Sequence, residues 1–234
     1  MITIKNLQKT YKGITAVDIE RLTIEAGEVI GLLGNNGSGK TTLFRLMMDL
    51  IRADTGEILS KENQVTTTEE WKKYTAAYID EGFLIDYLTP EEYFYFIGKL
   101  HELSPTDVDD FLVGYHSFFN DAILGKGKYI RDFSKGNQFK IGIVAALLTK
   151  PEFLILDEPF ANLDPTTQLR LVDMIKELAI EKKMCIILSS HDITHVAEVS
   201  SRILLMEKGK IIKDIAGGET AYAEMIHYFK VKIN

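Results

Sequence analysis

The chain has 234 residues, of which 46% are hydrophobic and 26% charged, an ordinary balance for a globular domain. No apolar run approaches the roughly 18 residues of a membrane-spanning helix, and the start lacks the apolar core of a secretory signal. The net charge of −7 argues against a nucleic-acid-binding protein, and the single cysteine, Cys185, excludes an internal disulfide. We therefore expect a cytoplasmic protein.

The first part of the chain predicts strands followed by a helix. Apolar residues alternate at Ile2 and Ile4 and again from Val17 to Ile24, which is typical of strands. After a turn at Glu25–Glu28, the apolar run Val29–Leu33 predicts a strand buried on both faces. An apolar stripe at helical spacing then predicts a helix through Leu43, Leu46, Met47, Leu50 and Ile51.

The middle and end of the chain predict helices and then further strands. Residues 84–148 have a helical pattern, with capping and first-turn signals at Thr89-Pro90 and Ser104-Pro105. Two apolar strands follow, at Phe153–Leu156 and Cys185–Leu188, and Asp164-Pro165 opens a helix between them. A final hairpin is predicted to turn at Lys208–Lys210. This alternation indicates an α/β sheet with a helical insertion.

A glycine-rich segment follows the buried strand and opens the first helix. Gly34-Asn35-Asn36-Gly37-Ser38-Gly39-Lys40-Thr41 fits the P-loop pattern (Walker A) in its required context. Glycines let backbone N–H groups surround phosphate oxygens, and the helix start favours an anion. Lys40 would reach the β- and γ-phosphates, and the Thr41 hydroxyl would bind Mg²⁺. The chance that this match is accidental is small, so we predict nucleoside triphosphate binding.

Two acids end the strand Phe153–Leu156 (Walker B). We predict that Asp157 holds Mg²⁺ and that Glu158 orients or deprotonates the attacking water, which is typically worth about 10² to 10⁴ in rate. Alone, such a pair would more often be structural. His191 ends the strand at Cys185–Ser190, at the sheet edge where ligands collect, and is predicted to bind the γ-phosphate.

The order of these motifs resembles that of the nucleotide-binding subunits of ABC transporters, over nearly the whole chain. The resemblance implies one ABC ATPase domain over residues 1–234. Residues 1–82 and 150–234 would form the catalytic core with an N-terminal antiparallel β subdomain, and 83–149 an inserted helical subdomain. The fold would be an α/β P-loop NTPase with a mostly parallel central sheet.

The resemblance also assigns further residues. Tyr11 would stack on adenine, although it could be only a tyrosine at a strand edge. Thr42 would join the phosphate site, Ala77–Gly82 would form the Q-loop and Asn162–Asp164 the D-loop, with His191 as the switch histidine. Glu81 would ligate Mg²⁺ where the family usually has glutamine.

Ser134-Lys135-Gly136-Asn137 falls where the family's signature sequence, Leu-Ser-Gly-Gly-Gln, is expected. In the family this loop contacts the γ-phosphate of ATP held by a partner subunit, which makes it half of a site. Phe133, Lys135 and Asn137 replace leucine, glycine and glutamine. A lysine at this position resembles variants among exporters of the ABC-2 type. Basic residues cluster around this loop and are predicted to lie on a solvated surface of mixed charge. They are Lys126, Lys128, Arg131, Lys135 and Lys140.

The predicted function is thus ATP binding and hydrolysis that powers transport, with export favoured, through a separate integral membrane permease. We expect a homodimer that closes around two ATP molecules with Mg²⁺, lies on the cytoplasmic face of the membrane and binds no nucleic acid. One alternative is a soluble ABC-type ATPase that acts as a mechanical switch in translation or DNA maintenance. Another is a small-molecule kinase, which would not need the Ser134 loop or the Asn162–Asp164 turn.

Overall fold

The computed structural model describes residues 1–79 and 83–233. The strands in chain order are β1 (Ile2–Tyr11), β2 (Ile14–Ile24), β3 (Val29–Leu33), β4 (Thr55–Ser60), β5 (Asn63–Gln64), β6 (Thr75–Tyr78), β7 (Phe153–Leu156), β8 (Cys185–Ser190), β9 (Arg202–Glu207) and β10 (Lys210–Ala216). The helices are α1 (Lys40–Met47), α2 (Pro90–Leu100), α3 (Pro105–Val113), α4 (His116–Phe119), α5 (Lys135–Leu148), α6 (Pro165–Glu181), α7 (Ile193–Val199) and α8 (Glu219–Ile233).

The strands form two sheets. A six-stranded sheet has the order β10-β9-β3-β8-β7-β6, in which every neighbouring pair is parallel except β10 and β9. A four-stranded antiparallel sheet has the order β2-β1-β4-β5. The prediction of a mostly parallel central sheet with an N-terminal antiparallel sheet is confirmed.

The core lies on both faces of the six-stranded sheet. On one face, side chains such as Leu156 and Leu188 pack with the helices that surround them. On the other, Ile155 and Ile187 pack with α1 and the four-stranded sheet. Because neighbouring residues of a strand point to opposite faces, strands buried on both sides read as continuous apolar runs.

Helices α2 to α5 lie between β6 and β7 in the chain, where the helical insertion was predicted. The starts of α2 and α3 follow from their sequences. Thr89 and Ser104 each form a capping box, accepting from the N–H of Glu92 and Asp107, whose carboxylates accept from the cap N–H in return. A proline follows each cap, at the position where its missing N–H costs nothing.

Helix α1 is shorter than the apolar stripe predicts. It ends at Met47, and Asp49 has a φ of 50°, so the chain leaves the helix in a left-handed turn. Leu50 and Ile51 therefore lie beyond α1, and Leu50 is exposed.

The prediction of a solvated basic surface is wrong for Lys140, which is only 6% exposed. Helix α5 packs against both α2 and β6, so nearly every position from Gln138 to Leu148 is buried. The Lys140 ammonium lies 5.7 Å from the centre of the Phe118 ring, a cation–π contact. Burial lowers the pKa of Lys140, while attraction to Asp164 opposes that effect.

Helix α8 packs on the domain, and its residues Ala221 and Met225 are buried in the hydrophobic core. Across residues 1–79 and 83–233, no helix is both long enough and apolar enough to cross a bilayer.

Candidate functional site

The phosphate loop, Gly34–Thr41, connects the fully buried strand β3 to helix α1. Its glycines are required by close packing. A Cβ on Gly39, whose φ is 112°, would lie 2.1 Å from the Ala16 carbonyl oxygen, and one on Gly34 would lie 2.4 Å from that of Met206. These contacts hold the loop against β2 and β9, which fixes where its backbone N–H groups lie.

The loop's polar groups suit an anion. The Ser38 hydroxyl is buried without a hydrogen-bond partner among the described residues, which is costly unless a ligand supplies one. Lys40 is 6% exposed, and its Nζ donates to the carbonyl oxygens of Gly34, at 2.7 Å, and Asn35, at 3.5 Å. The start of α1 adds the positive end of a helix dipole. Asn36 and Gly37 are the remaining residues of the loop, and Thr42 follows Thr41 in the first turn of α1.

Asp157 lies directly after β7 and next to the phosphate loop. The Thr41 hydroxyl donates to one of its carboxylate oxygens, at 2.6 Å, and the Ser189 hydroxyl donates to the other. Burial raises the pKa of Asp157, and the hydrogen bonds from Ser189 and Thr41 partly offset that rise. A nearby positive charge would stabilise the ionised form of this buried carboxyl group.

The Thr41 and Asp157 oxygens fit Mg²⁺, which prefers hard oxygen ligands and is usually bound through one or two carboxylates plus substrate phosphates. Within the described ranges, no group of three or more histidine, cysteine, aspartate or glutamate residues could hold a metal by itself. A metal held by Thr41 and Asp157 would also take oxygen ligands from the phosphates of a bound nucleotide. Glu81, the further predicted ligand, lies outside the described residues.

Glu158 joins three elements. Its carboxylate lies 3.3 Å from Lys40 Nζ, through Oε1, and 2.9 Å from His191 Nδ1, through Oε2. Its backbone N–H donates to the Ser189 hydroxyl at 2.8 Å. Glu158 has a φ of 49°, a left-handed conformation that is uncommon for a residue with a side chain and often found at functional sites. The structure thus brings Lys40, Glu158 and His191 together.

Ser189 is a site residue that the sequence reasoning missed. Its hydroxyl bridges the Asp157 carboxylate and the Glu158 N–H, so it fixes both acids. The signal was present, because Ser189 and Ser190 are hydroxyl residues that end an otherwise apolar strand just before His191.

Tyr11 ends β1 and pairs with Ile14 across the hairpin to β2. Its ring is 47% exposed, with the Lys9 ammonium 5.4 Å from its centre. The same β2 strand contributes Ala16, which lies against Gly39. The exposed ring therefore belongs to a hairpin that packs on the phosphate loop.

The signature loop, Ser134–Asn137, starts α5. The Ser134 hydroxyl caps the helix by accepting from the Asn137 N–H at 3.3 Å, and the exposed Lys135 follows it. Gln138 Nε2 donates to the carbonyls of Ile130 and Phe133, both at 3.1 Å, which anchors the loop. The loop is therefore preformed and faces solvent.

The signature loop also lies against the D-loop turn. A Cβ on Gly136 would lie 3.0 Å from the Asn162 carbonyl oxygen, a closer approach than most side chains allow. Asp164 caps α6 by accepting from the Thr167 N–H at 3.1 Å. No hydrogen bond or ion pair between described residues joins Ser134, Gly136 or Asn137 to the phosphate loop of the same chain. One chain thus presents two separate parts of the candidate site.

Comparisons with known proteins agree with this geometry. Residues 18–161 match the ABC transporter family. The chain is 34% identical over 214 residues to the uncharacterized ABC transporter ATP-binding protein YhaQ of Bacillus subtilis, covering 90% of this chain and 69% of that protein. It is 29% identical to the thiamine import ATP-binding protein ThiQ of a Chelativorans species, covering 92% and 86% of the two chains.

Solved structures share the fold. A dimeric post-hydrolysis state of the ATP-binding cassette MJ0796, bound to ADP and Pi, superposes with a TM-score of 0.81 at 21% identity, covering 92% of this chain and 98% of that one. An ATP-binding subunit of an ABC transporter superposes with a TM-score of 0.82 at 25% identity, covering 92% and 90%. The phosphate loop, the acids after β7 and these matches together place the chain in the ABC transporter family, as an ATP-binding cassette ATPase.

Proposed function

We propose that two copies of the chain bind two ATP molecules between them and that hydrolysis drives a separate membrane permease. The carrying observation is that, among the described residues, no hydrogen bond or ion pair joins Ser134, Gly136 or Asn137 to the phosphate loop of the same chain. Each ATP would lie between Gly34–Thr42 of one copy and Ser134–Asn137 of the other. The two-fold symmetry of a homodimer makes two identical sites in this way.

Within each site we assign roles from the contacts described above. Lys40 binds the β- and γ-phosphates, and Tyr11 stacks on adenine. Thr41 and Asp157 hold Mg²⁺, which when bound neutralises phosphate charge. Phosphate oxygens are charged acceptors that would compete with the backbone carbonyls and the Glu158 carboxylate for Lys40. Binding ATP would therefore draw Lys40 away from Glu158. Glu158 would then accept a proton from water, while His191 donates to the γ-phosphate.

The partner's signature loop completes the anion site. The Ser134 hydroxyl, the Gly136 N–H and the positive end of α5 would contact the γ-phosphate. Lys135 adds a positive charge beside it, and Asn137 supplies a further polar side chain. We propose that residues 83–149 act as a helical subdomain that presents this loop, with 1–82 and 150–234 as the catalytic core. Glu81 would add a metal ligand from the same core.

The shared site predicts that ATP hydrolysis requires two chains. Specific ATPase activity should therefore rise with protein concentration through the monomer–dimer range and then level off. Measuring phosphate release across a dilution series, with Lys40→Ala protein at each concentration as the background control, checks this. Activity per chain that stays constant on dilution to the monomer would contradict the shared site.

The permease and the direction of transport are further parts of the proposal. The family match and the names of the relatives support a separate integral permease, with this chain bound to it on the cytoplasmic face of the membrane. Lys135, at the glycine position of the family pattern, favours export of the ABC-2 type. ThiQ is named for import, so direction needs its own test.

The test is affinity capture of Glu158→Gln protein from solubilised membranes with ATP, followed by identification of the integral protein that copurifies. Reconstituting the pair in vesicles then gives direction. Export predicts ATP-dependent movement of cargo away from the side that carries the ATPase. Movement towards that side would overturn export, and the absence of any copurifying integral protein would overturn the permease.

A further inference from the structure

A cavity of about 620 Å³ lies at the opposite edge of the six-stranded sheet from the nucleotide site. Phe153 and Cys185, the first residues of β7 and β8, line it. Asp157 follows the other end of β7, roughly 13 Å further along the strand at about 3.3 Å per residue. The cavity is therefore separate from the proposed ATP site, and its volume is typical of a small-molecule pocket.

The walls of this cavity are mainly apolar. Ile24, Leu147 and Leu178 are buried residues that line it, together with Phe153. Cys185 is also buried there, and burial raises the pKa of its thiol to about 12. A ligand with many polar groups, such as a sugar or a nucleotide, would lose hydration against these walls without gaining partners. The interior thus suits an apolar chain.

The rim is positively charged. It carries Lys61, Lys150, Lys182 and Lys183, and Glu152 is its only acid among the described lining residues. Lys61 pairs with Glu152 at 2.7 Å, whereas the side chains of Lys150, Lys182 and Lys183 form no hydrogen bond or ion pair within the described part of the chain.

Part of that positive charge is balanced by the protein itself. Lys150 follows the end of α5, and Lys182 and Lys183 follow the end of α6. Each helix end carries only about half a negative charge. Asp107 also attracts Lys150, which leaves Lys182 and Lys183, beside the end of α6, as the positive charges for a ligand at the rim.

We propose that this cavity binds a single-chain amphipathic anion, a medium-chain acyl carboxylate. Its apolar chain lies between Leu147, Phe153 and Leu178, and its carboxylate contacts Lys182 and Lys183 at the rim. This site does not depend on the proposed transport function, since no residue of the ATP site lines the cavity.

The test is isothermal titration of the whole chain with laurate below its micelle concentration. Saturable binding of one laurate per chain is expected, with much weaker binding of dodecanol and of dodecyltrimethylammonium. Lys182→Gln/Lys183→Gln should weaken laurate binding about threefold to tenfold, the loss of two exposed charge contacts. Ala26→Trp, a change at an exposed lining residue of the mouth, should block binding.

Lys126→Gln/Lys128→Gln removes two exposed lysines away from this cavity and is the matched control, expected to bind laurate like the original chain. All variants change exposed residues, and their thermal transitions check that they fold. The proposal is overturned if laurate does not bind, if either cavity variant binds it unchanged, if the control loses it, or if the neutral or cationic compound binds as tightly.

Discussion

Glu158 is held between two positively polarised groups, with Lys40 at 3.3 Å and His191 at 2.9 Å. In this arrangement each carboxylate oxygen has one partner in the protein, Lys40 or His191. If Lys40 turns to a phosphate, Glu158 loses a neighbouring positive charge, which favours its proposed role as a base. ATP binding and hydrolysis should therefore be separable, because Lys40 serves mainly binding and Glu158 mainly hydrolysis.

Substitutions at these two residues should separate binding from hydrolysis. Lys40→Ala removes charged hydrogen bonds to phosphate, so ATP affinity should fall about 10- to 100-fold. Glu158→Gln keeps those bonds but removes the base, so affinity should persist while turnover falls about 10²- to 10⁴-fold. Equilibrium binding of a fluorescent ATP analogue and phosphate release measure the two effects. If both variants lost only affinity, the role given to Glu158 would be wrong.

The raised pKa of Asp157 predicts that its ionised carboxylate lowers the stability of the fold. An acid whose folded-state pKa lies above its unfolded value destabilises the fold as pH rises through the folded pKa. Asp157→Asn removes that charge, and the Thr41 and Ser189 hydroxyls can still bond to an amide. Without nucleotide, the variant should melt higher at pH 7, by about 2–4 °C for each kcal/mol gained.

That difference in melting temperature should shrink as the pH falls, since the original carboxyl then becomes protonated. Differential scanning calorimetry from pH 7 downwards measures it, with the exposed Asp173→Asn as control. A variant that melts lower than the original chain at pH 7 would mean that the carboxylate stabilises the fold. In that case the burial argument fails.

At the scale of single elements, the close approach of α5 to the sheet is the most demanding contact. A Cβ on Gly142 would lie 2.1 Å from the Tyr78 ring, which is itself packed edge-on against Phe139 with ring centres 5.2 Å apart. Tyr78 is buried, so the ring has little room to move.

Gly142→Ala should therefore destabilise the protein by about 1–3 kcal/mol through overpacking, despite alanine's better helix propensity. Gly114→Ala is the matched control, because its Cβ would meet only the Phe111 carbonyl oxygen at 3.5 Å in an ordinary helical conformation. Urea denaturation of both variants gives the comparison. Equal stability of the two would show that α5 can shift away from β6 at little cost.

Much of the element order could be predicted from the sequence because local chemistry decides it. The caps at Thr89 and Ser104, the turn before β3, the glycine-rich loop after it and the apolar strands depend on neighbouring residues. Lys140 could not be placed this way, since its burial depends on elements distant in the chain that pack on α5, among them α4 with Phe118. The length of α1 was missed for a similar reason, since apolar spacing continues past the turn at Asp49.

For the candidate site, the sequence indicated which residue types are present but not their contacts. The motif pattern placed Lys40, Asp157, Glu158 and His191 near one sheet edge, since parallel strands end there together. The Ser189 bridge and the contact between Gly136 and Asn162 depend on how separate segments pack, which spacing along the chain does not report.

At the scale of the whole molecule, the chain is organised around the two ends of its parallel strands. The carboxyl ends carry the acids and the phosphate loop, and the amino ends border the lysine-rimmed cavity. The signature loop starts α5 apart from the phosphate loop, and both expose polar groups to solvent or to a ligand. We propose that this arrangement is incomplete in one copy and complete in two, which is the central claim.

The most direct test of that claim is the mass of Glu158→Gln protein by analytical ultracentrifugation, with and without ATP and Mg²⁺. We predict a monomer without ATP and a stable dimer with it, because hydrolysis no longer reopens the complex. Adding Ser134→Arg to the same chain should keep ATP binding but abolish the dimer, since the bulky side chain blocks the partner's phosphate. Glu158→Gln protein that stays monomeric while saturated with ATP would contradict the account.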